Sequence, residues 1–314
     1  TLLVRTLPAL DGGENRRLGW ITRPARRLLH AARRNTRRGS RANIQAHYDL
    51  GNDFYRLWLD PETLAYSCAY FERPDQSLAD AQRAKMRRMI ELAGLQPGHH
   101  LLEIGCGWGG FAIEAVRRTG CRVTGLTLSP AQLELARERV RQAGLSDHIE
   151  LHLLDYRDIQ GAYDRIVSIE MLEAVGHEYL GLFFNRCAEL LRPGGRLAIQ
   201  VITIPDERYE AYRTDPDWIQ KHIFPGGLLP CRRALEAAWT AHSPLTLRSC
   251  DDIGLHYAPT LRAWRAAFNA QSEALTRLGF DAAFQRTWNY YFAYCEAGFA
   301  TRYIHDLQFV LEKH

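Results

Sequence analysis

No stretch of this 314-residue chain approaches the roughly 20 consecutive apolar residues that carry a helix across a bilayer, so the pattern offers no membrane span. The opening residues, TLLVRTLPALDGG, lack a basic stretch followed by an apolar core, so no secretory leader is expected. They also lack an initiator Met, and the expectation is that an upstream region is missing. Cysteine is sparse and unpaired in spacing: seven residues, an odd number, with no C-x-x-C. That excludes a disulfide framework or structural zinc site on pattern, and fits reduced thiols in a cytoplasmic protein. His47 and His177 have no partner at ligand spacing, so no metal is expected.

Acid is absent from residues 16–41, which hold ten Arg. Outside that arm, 30 basic residues face 36 acidic ones, so the net charge of +4 comes from one segment. Such an arm suits an anionic surface, either phospholipid head groups or nucleic acid, or it is a solvated linker. The basic–aromatic interleaving of RNA-binding segments is lacking, so no nucleic-acid partner is expected. A homodimer is compatible with the arm. Residues 1–40 thus read as an arm, and 41–314 as the folded domain that follows it.

From residue 99 the pattern alternates between strand and helix. Leu101-Leu102-Glu103-Ile104 reads as a buried strand ending at Gly105, and a helix follows from about residue 108. Residues 122–127 read as a second strand. Ser129-Pro130-Ala131-Gln132 opens a helix, with Ser as cap, Pro in the first turn and Gln three residues on. Residues 149–154 and 164–169 are the third and fourth strands, and 196–202 the fifth. Leu180, Phe183, Phe184, Cys187 and Leu191 recur at helical spacing and stop before Pro193-Gly194-Gly195. This alternation implies an α/β fold with a parallel, doubly wound sheet. Residues 203–245, rich in Pro, Tyr and Trp, read as an insertion over the strand ends. Residues 260–300 read as helical and aromatic, and 306–312 as a final edge strand.

Gly105-Cys106-Gly107-Trp108-Gly109-Gly110 follows the first strand, where glycines let a backbone pass close to a ligand. The same residues satisfy the dinucleotide pattern, which also wants an acid about twenty positions on to hold a ribose. Here the second strand ends Gly125-Leu126-Thr127-Leu128-Ser129, with no acid before Glu134. An acid stands instead at Asp155, just past the third strand and beside Tyr156. That pairing suits the adenine of S-adenosylmethionine: the carboxylate accepts from the exocyclic amine and the ring stacks. No phosphate loop is present. Gln132 has two open roles, closing a capping box or bonding ribose hydroxyls.

These residues carry a resemblance. The runs Ala46-His47-Tyr48-Asp49-Leu50-Gly51-Asn52-Asp53-Phe54-Tyr55, Tyr66-Ser67-Cys68-Ala69-Tyr70-Phe71, Met171-Leu172-Glu173-Ala174-Val175-Gly176-His177, Ile223-Phe224-Pro225-Gly226-Gly227 and Gly254-Leu255-His256-Tyr257, with the glycine loop, resemble the cyclopropane fatty acid synthase family from about residue 41 to the end. Residues 200–209 and 287–291 look most like its plant-type branch. The resemblance implies a class I methyltransferase fold: Rossmann-like, with a mixed seven-stranded sheet and a helical insertion covering an acyl-chain pocket. It implies that Tyr66, Ser67, Gly105, Gly107, Thr127, Leu128, Gln132, Tyr156 and Ile169 line the S-adenosylmethionine site, beside Glu103 and Asp155. It further implies bicarbonate held by Cys68, Glu173, Tyr257 and the backbone of Ile202, with Gln200 where many members carry His. The partners implied are phospholipid acyl chains at the inner membrane surface.

The expected chemistry makes three demands. Methyl transfer to an isolated alkene leaves a carbocation, so the reactants need near-attack geometry. Water must be kept out, and a base must take a proton to close a cyclopropane ring. Gln200 cannot shuttle that proton as His would. Loss of a proton from an adjacent chain carbon would instead give a methylene- or methyl-branched chain. Tyr70, Phe71, Trp218, Phe224, Tyr290 and Tyr291 are candidate rings to face the cation. Glu170 stands between a site role and a structural one. Cys68 on its own would be a small buried hydrophobe.

Overall fold

The computed structural model describes residues 50–215 and 217–314, together with Gly39. Apart from Gly39, the Arg-rich arm and residues 46–49 of the first motif lie outside the described residues.

Seven strands form one sheet: β1 (His100–Ile104), β2 (Arg122–Thr127), β3 (Ile149–Leu153), β4 (Tyr163–Ile169), β5 (Leu191–Thr203), β6 (Leu245–Asp252) and β7 (His305–Lys313). Their order is β3-β2-β1-β4-β5-β7-β6. The first five run parallel, and β7 is antiparallel to both neighbours. The expectation for residues 306–312 needs correcting: this strand is no edge, because β6 pairs outside it. β6 was missed since its exposed residues, Thr246, Leu247, Arg248, Asp251 and Asp252, dilute any apolar pattern.

Alternation along the strands sends side chains to two aliphatic layers. Leu102, Ile166, Leu197 and Ile199 pack with α5 (Leu180–Leu190) and α8 (Arg232–His242). Leu101, Val123, Val167 and Ala198 pack with α2 (Leu78–Ala93), α3 (Gly110–Thr119) and α4 (Pro130–Gln142). α8 belongs to the sheet face, with Trp239 edge-on to Phe184 at 5.7 Å and to Phe309 at 5.5 Å. The insertion expected over 203–245 is therefore shorter. Its remainder carries α6 (Tyr209–Thr214) and α7 (Trp218–His222), and both lie along a cavity.

A third layer caps the strand ends. It joins α1 (Asn52–Arg56), α9 (Tyr257–Ala270), α10 (Ser272–Arg277) and α11 (Ala282–Ala300). Its buried members include Phe54, Trp58, Trp264, Phe268, Trp288 and Phe292. No described helix is long and apolar enough to cross a membrane.

Candidate functional site

The sheet reverses winding direction between β1 and β4, which opens a crevice at their carboxyl ends. A cavity of about 860 Å³ fills that crevice. The glycine loop forms one wall. After β1 the chain turns at Gly105, whose φ of +88° favours glycine. The N–H groups of Gly105 and Cys106 both donate to the Leu126 carbonyl, at 3.0 and 2.8 Å, pinning the loop to β2. At Gly110 a Cβ would come within 2.2 Å of the Thr63 carbonyl oxygen, so only glycine lets α3 start this close to that segment. Trp108 Nε1 donates to Asn52 Oδ1 at 2.8 Å, and Asn52 Nδ2 donates to the Ala131 carbonyl at 2.8 Å. One Asn thus ties α1, the glycine loop and the start of α4 together.

Gly105, Gly107, Thr127, Leu128, Gln132, Tyr156 and Ile169 all line the cavity. No atom lies within 4 Å of where a Gly107 Cβ would stand. Gln132 does not close a capping box. Its Oε1 accepts from Thr127 Oγ1 at 3.0 Å, and the Ser129 N–H bonds Thr127 Oγ1 instead. Glu103 lines the same wall, and its buried Oε2 has no hydrogen-bond partner in the described structure. Burial pushes its carboxyl up to about 8. Asp155 is a correction: it lies off the cavity wall, with Arg157 Nε and Nη2 donating to its carboxylate at 2.8 and 2.6 Å. A bidentate guanidinium two residues away outcompetes a distant ligand for those oxygens.

The other wall is acidic and buried. Glu170 follows β4 with φ +49°, an uncommon conformation for a residue with a side chain. Its carboxylate collects three donors: the Cys68 N–H at 2.8 Å and Gln200 Nε2 at 2.8 Å on Oε1, and the Tyr257 hydroxyl at 2.6 Å on Oε2. Glu173 Oε1 takes the Ile202 N–H at 2.6 Å, while its Oε2 is buried without a partner. Burial, then the nearby Glu170, push the Glu173 carboxyl up to about 8. Burial also raises Glu170, and its donors together with Lys85 work against that rise. Asp306 on β7 is fully buried and accepts Gln200 Nε2 at 2.9 Å. Burial and then Glu170 push it well above the carboxylate range.

Glu173, Ile202 and Tyr257 line the cavity; Gln200 and Cys68 sit behind that wall. Cys68 contributes its backbone. Its thiol donates to the Ala69 carbonyl at 3.3 Å, and burial pushes it far above the thiol range. The anion cradle expected for bicarbonate is already full: two of its donors hold Glu170 and the third, Ile202 N–H, holds Glu173. A further anion there would face three carboxyl groups in a low-dielectric setting. The residues present do not fit bicarbonate.

Sequence reasoning missed Lys85 and Asp306. Lys85 is 1% exposed and donates to Ser67 Oγ at 2.7 Å, beside Tyr66, whose hydroxyl pairs with Tyr291 at 3.0 Å. Burial lowers the Lys85 pKa, and Glu170, Asp306 and Glu103 oppose that. A signal for it existed: Lys85 stands between Ala81 and Met89 at i±4, inside the apolar stripe of α2. Asp306 had none, being one polar residue at the start of a strand. Of the candidate rings, Trp218, Phe224, Tyr290 and Tyr291 line the cavity, and Tyr70 and Phe71 do not.

The family model for mycolic acid cyclopropane synthetase matches residues 35–309. The chain belongs to the mycolic acid cyclopropane synthetase family. Tuberculostearic acid methyltransferase UfaA1 of Mycobacterium tuberculosis is 42% identical over 98% of this chain and 74% of that protein. Cyclopropane mycolic acid synthase 1 of the same organism is 36% identical over 87% of this chain and 97% of its own length. The crystal structure of mycolic acid cyclopropane synthase CmaA1 complexed with SAH and CTAB superposes with a TM-score of 0.81 at 35% identity, covering 87% of this chain and 98% of that one. As a member of this synthetase family the protein is an S-adenosylmethionine-dependent methyltransferase of class I fold that modifies lipid acyl chains. The glycine wall fits that cofactor. The space beside Gly107 admits a ligand at backbone contact, and the orphan oxygen of Glu103 is complementary to a cationic group.

Proposed function

We propose that the protein methylates the cis double bond of an unsaturated phospholipid acyl chain at the inner membrane surface, and that Glu170 removes the proton that closes a cyclopropane ring. One observation carries this reading: a carboxylate of the chain itself, gripped by three donors, faces the cavity across from the glycine loop.

Glu170 is the better base of the two carboxylates on this wall. Its three donors favour the ionised form, whereas Glu173 has one donor and a proton affinity that keeps it neutral at pH 7. Burial lifts Glu170 above an ordinary carboxylate, which brings a base nearer to its working pH. Lys85 supplies the positive charge that lets one anion persist there.

When bound, S-adenosylmethionine supplies an electrophilic methyl group to one alkene carbon, which leaves positive charge on the other. Glu170 takes a proton from the added methyl, and the released C–H electron pair forms the third ring bond. Phe224, Tyr291, Trp218 and Tyr290 turn ring surface to the cavity and keep out the water that would trap the cation.

Branching is the second reading, favoured by the name of the relative that matches 98% of the chain, a methyltransferase. There the hydrogen on the methylated carbon shifts with its electron pair to the cationic neighbour, and Glu170 takes a proton from the added methyl, whose C–H electron pair becomes the double bond of a methylene branch. The test is incubation with cofactor and a cis-monounsaturated phospholipid. A gain of one CH₂ with far-upfield cyclopropyl protons supports the ring. Vinylidene protons support the branch, and no mass gain contradicts both.

A further inference from the structure

β5 and β7 run antiparallel with Gln200 opposite Gln308, and both side chains are fully buried. They point toward α2, which supplies Arg88. Gln308 Nε2 donates to Gln200 Oε1 at 3.1 Å, and Arg88 Nε donates to Gln308 Oε1 at 2.7 Å. Gln200 Nε2 then spends its two hydrogens on Glu170 and Asp306, at 2.8 and 2.9 Å. Four side chains form one directional line from near the surface to the carboxylate at the cavity.

The direction of that line is fixed by chemistry. An amide reads nearly the same either way round, so Gln200 alone could turn oxygen or nitrogen toward Glu170. A guanidinium only donates. Gln308 must therefore offer Arg88 its oxygen, which leaves its NH₂ for Gln200. Gln200 must answer with its own oxygen, which leaves its NH₂ for the two acids. Arg88 is itself held, by Asp251 Oδ2 on Nη2 at 2.7 Å and by the Tyr70 ring, 5.1 Å from the guanidinium carbon. This gives Tyr70, absent from the cavity wall, a different task.

We infer that Arg88 is a positioning residue, which acts through Gln308 to hold the Gln200 amide with its nitrogen toward Glu170. The inference rests on the reading of Glu170 as the base. It accounts for a Gln at position 200: an amide whose orientation is imposed from outside supplies a permanent donor and no competing base.

The test compares Arg88→Leu, Arg88→Lys, Gln308→Glu and Gln308→Leu, with Glu170→Gln beside them. For each variant kcat, KM for the phospholipid, cofactor Kd and Tm are measured. Gln308→Glu keeps the shape and the Arg88 contact but presents only acceptors, so Gln200 must turn its oxygen to Glu170. The expected result is a fall in kcat of about 10- to 100-fold for Gln308→Glu, from the lost donor and the facing lone pairs, with KM and cofactor Kd unchanged. Gln308→Leu removes the link without reversing it, so its kcat falls less even where its Tm falls more. Arg88→Leu lowers kcat about tenfold, and the donor-only Arg88→Lys recovers most of that.

A kcat that tracks Tm across the set, with Gln308→Leu the worst, overturns the inference, as does an Arg88→Lys no better than Arg88→Leu. If Glu170→Gln keeps full turnover, the base assignment itself has failed. If Glu170→Gln loses turnover while Gln308→Glu turns over normally, only the relay has failed.

Discussion

The two ends of the cavity are built on opposite principles. The floor, around Glu170, gathers Glu173, Asp306 and Lys85; Asp306 and Lys85 are fully buried, and directed hydrogen bonds from Gln200 and to Ser67 tie Glu170, Asp306 and Lys85 in place. The roof, formed by α7, α11 and the segment around Phe224, turns five aromatic rings to the cavity, Trp218, Phe224, Tyr290, Tyr291 and Tyr294, with Gln220, Lys221 and His222 of α7 beside them. A polar floor is costly to bury and useful only where each group has a defined partner. An aromatic roof tolerates imprecise packing and serves by excluding water. The difference teaches that proton removal and cation protection are separable here, so damage to each end has its own signature.

The largest separation is expected from Glu170→Gln. It keeps the shape and hydrogen-bonding reach of the floor but cannot take a proton. Single-turnover rates with saturating cofactor fall by about 10²- to 10⁴-fold, with Tm near that of the parent protein. A roof lesion behaves differently. Phe224, 6.0 Å from the Tyr291 ring centre, becomes an open channel in Phe224→Ala. Proton removal survives, KM for the lipid rises about tenfold from lost apolar contact, and mass spectrometry finds a hydroxylated acyl by-product where water meets the cation. If Phe224→Ala instead stops turnover without by-product, the ends are not separable.

How much of this was legible follows the same division. The first five strands, the glycine loop and the Ser129 cap were readable because each is a local pattern: an apolar run, a turn residue, a capping residue. Of the roof's helices, α11 was visible in the helical, aromatic stretch 260–300, whereas α7 fell inside the insertion; which rings face the cavity depends on how α9 and α11 cross, and local spacing does not record that. The floor was hardest. Glu170 and Glu173 stand three residues apart and look alike in sequence. Three donors from three distant segments grip one, while burial and the neighbouring Glu170 raise the proton affinity of the other. Asp155 failed as a cofactor residue for the converse reason, a neighbouring Arg157 that claims it. Gln308 gave no sign until β7 proved to lie inside the sheet.

The smallest expected effect is in stability against pH. Glu173 holds its proton in the folded state up to about pH 8, while an ordinary carboxyl loses it near 4.5. Between those values the folded state binds more protons than the unfolded chain, so stability falls as pH rises and levels off above 8. Glu103 adds to the same window. Glu173→Gln removes one contribution, so its Tm declines less steeply than the parent's from pH 5 to 8. Parallel curves would mean that Glu173 is ionised throughout.

The most direct test of the central assignment is turnover in buffer stripped of carbonate. With the protein's own carboxylate as base, the rate of the parent enzyme is the same before stripping, after it, and after bicarbonate is restored, and Glu170→Gln is not rescued by added bicarbonate. A rate that collapses on stripping and returns with bicarbonate would contradict the assignment and give the proton to a bound ion.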